Sequence, residues 1–512
     1  MHFIRSNINQ IKKSTMIKGT LILTIAGFLT RIIGFLFRIF LNNKIGAEGL
    51  GIYQLIFPIQ IICYSICTIG YETAISKMTA SSICEGNVYS KRYLKFGLVM
   101  SVTMSLILSL ILFFFSDEIC ENIIFENRCS ILIKALAFSI PLSSIHACIC
   151  GYYIGCKNTN ITAVSQVIEQ LSRVIAIVCI ITYIESIGIK PSPLSAVIGS
   201  VIGELVSCLF CIFHIFNHIR KLADHPHPVH HQTSSKNKRG IVREITALSI
   251  PISLNRLMLS VLQSIQSILI PNMLILHGYT SEKALGTYGI LLGLVIPFIL
   301  FPGAIINSMA LLLLPTISEA DHDDNTSKIR ITTEKTLQFC LIFGIFCAVV
   351  FMNYGKPIGL YFLSNKEAGN YICLLGIICP FIYVTSTLSS IINGLGKTAV
   401  TFEFGIISTI LQIASIVFLM PKYGINGYII GFLTSNILNA LCLYLYIRRH
   451  ISVSIQLFSW VVYPVMTGFV VTKCTRFVMV LLPFEHPVLK MFLSLCIVMI
   501  VYLLLLKDEF NL

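Results

Sequence analysis

Apolar residues fill long runs of this chain, and the polar residues inside them recur at helical spacing instead of alternating. Runs this long predict about fourteen membrane-spanning helices. They fall near residues 17–41, 50–73, 95–115, 132–155, 163–184, 194–217, 246–276, 285–314, 337–355, 371–393, 401–420, 426–447, 457–472 and 488–506. In the first of these, Thr20, Thr24, Gly27, Arg31, Gly34, Arg38 and Asn42 recur every three or four residues. At 3.6 residues per turn they form one polar stripe on an otherwise lipid-compatible helix. Arg31 lies near the middle of the run, where a charge costs roughly 2.5 to 3.5 kcal/mol on insertion scales and so faces protein or water by default.

Composition agrees with the pattern. Of 512 residues 55% are hydrophobic and only 12% charged, with a mean hydropathy of +0.84. These values exclude a soluble globular protein and predict an all-α polytopic membrane protein. Arg5, Lys12, Lys13 and Lys18 precede the first span, which is too long for a signal-peptide core and is read as an uncleaved helix.

Charge sets the orientation. With both termini inside, roughly 22 of the basic residues fall on the cytoplasmic side and roughly 11 outside, the bias expected of cytoplasmic loops. The net charge of +14 therefore reflects topology. The basic residues form no arginine-rich or aromatic-interleaved module, so no nucleic-acid partner is expected.

Most of the 18 cysteines lie within apolar runs, Cys63, Cys67, Cys148, Cys150, Cys208 and Cys211 among them, where they act as small hydrophobes. Cys208 and Cys211 have a metal-ligand interval, but no second pair completes a site at that depth; they read as packing, and no metal or cofactor is expected. The tract His225-Pro226-His227-Pro228-Val229-His230-His231 reads as a cytoplasmic hinge loop. Glycine with lysine at Gly155-Cys156-Lys157 and Gly394-Leu395-Gly396-Lys397 lacks the rest of a nucleotide motif.

Weak internal matches predict a duplication. Leu50-Gly51-Ile52-Tyr53 recurs as Leu285-Gly286-Thr287-Tyr288, and Ala74-Ile75-Ser76-Lys77 as Thr316-Ile317-Ser318-Glu319. Pro141, Gly155 and Thr159 recur at one constant offset as Pro380, Gly394 and Thr398. Shared order and similar offsets imply two six-helix lobes related by a pseudo-twofold axis along the membrane normal. The expected organisation is an N-terminal lobe at 1–217, a cytoplasmic linker at 218–244, a C-terminal lobe at 245–450 and two further helices at 451–512. The helix opening the second lobe repeats the polar stripe through Ser249, Ser253, Arg256, Ser260, Gln263 and Ser267. Aligning Arg256 with Arg31 places Gln263 on Arg38.

Arg31, Arg256 and Arg38 are the candidate phosphate or pyrophosphate ligands, since guanidinium supplies fixed, permanently charged, bidentate donors. The alternative is structural pairing with Glu72, Glu169, Glu204 or Glu403. Glu169 and Arg173, four apart, are expected to pair on one helix face. Glu204, and with less support Glu72, are candidate ion-coupling groups. No catalytic residue is expected.

Lys18-Gly19-Thr20-Leu21-Ile22-Leu23-Thr24, then Arg31-Ile32-Ile33-Gly34-Phe35 with Arg38, then Gly46-Ala47-Glu48-Gly49-Leu50-Gly51-Ile52-Tyr53-Gln54-Leu55, resemble the opening of the stage V sporulation protein B group. Leu313-Leu314-Pro315-Thr316-Ile317-Ser318-Glu319 extends the likeness. That group belongs to the polysaccharide transporter branch of the multidrug/oligosaccharidyl-lipid/polysaccharide (MOP) flippase superfamily and is similar to the lipid II flippase. The resemblance implies alternating access around a central cavity and export of undecaprenyl-pyrophosphate-linked glycans, peptidoglycan precursors in particular, for spore cortex or cell-wall synthesis in the bacterial cell membrane. The basic residue after the Arg31 motif is displaced by one position, at Arg38, and Glu72 stands where an uncharged residue is expected. Implied partners are the lipid-linked oligosaccharide, membrane lipids and, as candidates, cell-wall synthesis enzymes. Two other functions fit the sequence: a cation-coupled multidrug or small-solute antiporter of the same superfamily, and a scaffold acting through its linker.

Overall fold

The computed structural model describes residues 2–84, 90–224, 238–481 and 487–505, and among these no strand occurs. The chain separates into two compact units, Met1–Ile268 and Leu269–Leu512. The His-rich tract lies outside the described residues.

In the first unit, α1 (His2–Leu55) is followed by α2 (Phe57–Cys67), α3 (Ile69–Cys84), α4 (Ser90–Phe114), α5 (Ser116–Ile119), α6 (Ser130–Ala137), α7 (Ser139–Gly155), α8 (Thr159–Ser186) and α9 (Pro193–Asp224). Helix α10 (Lys238–Leu276) crosses from this unit into the second. The second unit continues with α11 (Ser281–Tyr288), α12 (Ile296–Leu300), α13 (Gly303–His322), α14 (Thr326–Pro357), α15 (Lys366–Leu375), α16 (Cys379–Gly394), α17 (Thr398–Tyr423), α18 (Ile425–Ile451), α19 (Tyr463–Leu481) and α20 (Pro487–Leu505).

Twelve of these helical stretches are long and apolar enough to cross a membrane, thirteen with one bent pair. The difference from fourteen has physical causes. The first two expected spans run together through Ile22–Ile83, because the chain turns between them within one residue, Gly46, at φ 76°. Only glycine takes that backbone readily. The eighth expected span is broken between α12 and α13. Helix α19 runs up to residues outside the described ones and is not among the twelve.

Helices α6 and α7 meet at a 43° bend, and Pro141 explains it. Proline has no N–H for the carbonyl four residues back, Ala137. The Ser109 hydroxyl of α4 donates to that freed oxygen at 2.7 Å, so no backbone acceptor is left bare in an apolar setting.

The second unit repeats the device: α15, a short 3-10 turn at Gly376–Ile378, then α16 with Pro380 in its first turn. Glycine lets each of α7 and α16 touch a neighbour's backbone. A Cβ on Gly151 would lie 2.5 Å from the Glu72 carbonyl of α3, one on Gly155 2.5 Å from the Ser76 carbonyl, and one on Gly394 2.9 Å from the Leu314 carbonyl of α13. Such small-residue seams hold helices together where lipid removes the hydrophobic drive.

Replacing Gly151 with leucine is therefore expected to destabilise the first unit by about 3 kcal/mol or more, since the opposing atom is backbone and cannot yield. Gly405→Ala is the control: it has open space around it and should be neutral or stabilising by up to about 1 kcal/mol. Thermal unfolding monitored by size-exclusion chromatography separates the two.

A short polar segment between α5 and α6 is tied by charge. The Arg128 guanidinium donates to Glu126 at 2.7 Å and to Glu48 of α1 at 2.7 Å, and Lys134 bonds Asp117 at 2.9 Å. Hydrogen bonding from Arg128 holds the Glu126 carboxyl below its ordinary range. A depressed carboxyl stabilises the fold above its unfolded value, near 4.3, and that contribution is lost as pH falls through the lower folded value. Arg128→Ala should cost only about 0.5 kcal/mol near neutrality, because the arginine is half exposed and solvent screens the pair. The difference in Tm between wild type and variant should shrink below pH 4.

Core packing in the second unit centres on Leu337, Leu388, Ile391, Ile392, Leu443 and Ile447, all fully buried. The terminal helix is anchored by Tyr502, whose hydroxyl donates to the Ile342 carbonyl at 3.2 Å.

Candidate substrate and ion-coupling sites

The polar stripe of α1 divides in the structure. Its Gly34 edge faces α8, where a Cβ would sit 3.2 Å from the Gln170 amide nitrogen, and Thr159 donates to the Gly19 carbonyl at 3.3 Å. Asn42 is buried, Arg38 is half-buried with Tyr53 and Arg173 as electrostatic neighbours, and Arg31 is exposed.

Helix α10 behaves alike. Its Ser249, Ser260 and Ser264 are buried; Ser260 shares a 2.6 Å hydrogen bond with Ser65 of α2, and Ser264 donates to the Pro58 carbonyl at 3.0 Å. Arg256 and Gln263, at the edge of that face, are exposed. Among the described residues no carboxylate forms a salt bridge with Arg31, Arg38 or Arg256. A guanidinium exposed at mid-span without a carboxylate requires water or an anion, because hydrocarbon solvates neither its charge nor its five donors. An open, largely apolar stretch of surface runs along the preceding turns of α10, with Arg239, Arg243, Ile250 and Pro251 on it.

Glu204 is not isolated. It is buried on α9, and His146 of α7 places Nδ1 3.1 Å from its Oε1. The other ring nitrogen, Nε2, is 3.1 Å from the Ser165 hydroxyl of α8. Ser207 approaches Nδ1 at 3.4 Å. Arg173 donates to Glu169 one turn away on α8, and ligand atoms of His146, Glu169 and Glu204 all lie within 4.8 Å of one another. Three helices thus bring two carboxylates, one imidazole and one guanidinium together. The polar column continues through Ser143, whose hydroxyl is 2.7 Å from the Tyr64 hydroxyl, and Gln60, which donates to Tyr64 at 3.1 Å. Glu72 stands half-buried on α3.

His146 is the residue that sequence reasoning missed. Its one signal was spacing, since Ser143, His146 and Cys150 lie three and four apart on the α7 span and share a face. Nothing in the sequence pairs that face with Glu204, which is 58 residues away.

These features define a class: a multi-pass helical membrane protein with the fold of MOP-superfamily transporters. The solved structure of lipid II flippase MurJ in an inward closed conformation superimposes with a TM-score of 0.68 at 16% identity, covering 96% of this chain and 99% of that one. The chain belongs to the polysaccharide biosynthesis protein family, whose model matches residues 16–321. It is similar to stage V sporulation protein B of Bacillus subtilis (strain 168), 26% identical over 451 residues that cover 87% of this chain and 86% of the relative. It is also similar to lipid II flippase MurJ of the same organism, 21% identical over 464 residues covering 87% and 84%.

Proposed function

We propose that this protein flips an undecaprenyl-pyrophosphate-linked glycan, a lipid II-like peptidoglycan precursor, from the cytoplasmic to the outer face of a bacterial membrane, for spore cortex or cell-wall synthesis. The observation that carries this reading is the pair of exposed arginines, Arg31 and Arg256, at mid-span and without carboxylate partners among the described residues. Family membership and the likeness to stage V sporulation protein B and to MurJ support it. The pyrophosphate meets these two guanidinium groups, with Arg38 as a lesser contact, while the polyprenyl tail stays in lipid. The apolar surface beside Arg239 and Arg243 suits the approach of a chain with an anionic head. Both termini lie in the cytoplasm in this reading, and the lobes are those of the sequence repeat, 1–217 and 245–450, with 451–512 appended.

No bond is made or broken, and a cation gradient supplies the drive through Glu204, with Glu72 as the secondary candidate. Ion coupling through Glu204 would serve a cation-coupled antiporter equally; the two exposed arginines, which favour an anionic over a cationic cargo, are what support the flippase. The decisive experiment is translocation of defined lipid-linked precursors in proteoliposomes, with and without an imposed gradient. Movement of cationic drugs but not of lipid-linked sugars would replace the flippase with the antiporter.

The same assay tests a scaffold function. Deleting residues 225–237, which spares Arg239 and helix α10, should be tolerated for flipping, whereas a scaffold acting through that linker would lose its role entirely.

A further inference from the structure

We propose that His146, Cys150 and Cys211 form a binding site for a thiophilic divalent metal ion of the zinc class, which ties α7 to α9 inside the first unit. The ligand atoms of these three residues lie within 4.8 Å of one another, and all three residues are buried. A zinc ion held at about 2.3 Å from sulfur and about 2.0 Å from nitrogen needs donor separations of about 3.5 to 3.8 Å. The donors therefore stand at most about 1.3 Å beyond the required spacing, on two neighbouring helices.

The surroundings select the ligating atom. Glu204 holds Nδ1 of His146 at 3.1 Å, and Ser165 lies 3.1 Å from Nε2 and 3.5 Å from the Cys150 sulfur. Nε2 therefore faces the thiols. A carboxylate on the far ring nitrogen is the usual outer partner of a metal-bound histidine, because it fixes the tautomer and strengthens the ligand. Two thiolates and one divalent ion also sum to zero charge, which suits an apolar interior. Two sulfurs and one imidazole select zinc-like ions over hard cations such as magnesium or calcium. Three protein donors would leave one position of a tetrahedral ion open to a further ligand.

Cys208, one turn from Cys211 on α9, is buried but belongs to neither three-residue group, and it serves as the control. The site includes neither Arg31 nor Arg256, on which the flippase reading rests, so its failure would leave that reading standing.

The test is cobalt(II) titration of the purified full-length protein with absorption spectroscopy, then competition with zinc. Wild type should show a thiolate-to-cobalt charge-transfer band saturating near one equivalent, and zinc should abolish it. Cys150→Ser and Cys211→Ser, on different helices, should each weaken binding about 100-fold or more, while Cys208→Ser should match wild type. The histidine tract at 225–231 cannot mimic the band, because residues 222–240 contain no cysteine. Absence of a thiolate band in the wild type, which requires no variant to fold, overturns the site. A Cys150–Cys211 disulfide in protein purified under reductant overturns it as well.

Discussion

Replacing Arg31 or Arg256 with alanine is expected to abolish net flipping of the lipid-linked precursor while leaving membrane insertion and abundance at wild-type levels. Both side chains are exposed and lack a carboxylate partner among the described residues, so removing either strands no buried charge and opens no core cavity. The loss falls on the ligand. A charge-assisted hydrogen bond contributes about 1.5 to 3 kcal/mol, or about one to two orders of magnitude in affinity for each arginine. The double variant should show no further loss, all three lying at the rate of empty liposomes. Arg31→Lys keeps the charge but not the fork that grips two phosphate oxygens at once, so it should recover only part of the rate. Normal flipping by both alanine variants would remove the proposed pyrophosphate contact. Arg38→Ala should be milder, since Arg38 is half-buried and its sequence counterpart is the uncharged Gln263.

Glu204→Gln should separate drive from passage. Gradient-driven accumulation is expected to drop to the level seen with no gradient, while exchange of precursor across the bilayer continues. Glutamine is the right substitution, because its carbonyl can still meet His146 where Glu204 Oε1 now lies at 3.1 Å. Alanine would leave the imidazole and the Arg173–Glu169 pair around an empty space, and breaking such a buried pair costs about 3 to 5 kcal/mol. Proteoliposomes loaded with imposed proton or sodium gradients give the readout. A Glu204→Gln protein that responds to either gradient as wild type does would move the coupling elsewhere, with Glu72 the next candidate.

The helices were legible in sequence because lipid demands long apolar runs, and a run can be read without its neighbours. The helix break found in each unit was legible through Pro141 and Pro380, which stand at matching places in the expected repeat. The turn at Gly46 was not, because the two spans it joins are separated by polar residues that read as an ordinary loop. The arginines could be picked out by their cost, yet their exposure depended on which edge of the α1 stripe packs against Gln170. The Glu204 cluster was hidden for a simpler reason. Its members come from three helices, and single-helix periodicity records no contact between helices. Cys211 shows this most directly: in sequence it sits near Cys208, whereas in space its companions are Cys150 and His146.

The turn after α7 and the turn after α16 follow the same path, with Lys157 at φ 60° and Gly396 at φ 74°, 239 residues apart. One copy meets the left-handed backbone with glycine and the other with a side chain that this conformation disfavours by about 1 kcal/mol. A mutational scan of the two halves, overlaid at that offset, should therefore disagree at this point. Lys157→Gly would be tolerated or stabilising, and nearly every replacement of Gly396 would be penalised. Tolerance learned at one turn does not transfer to the other, even where both take a left-handed backbone.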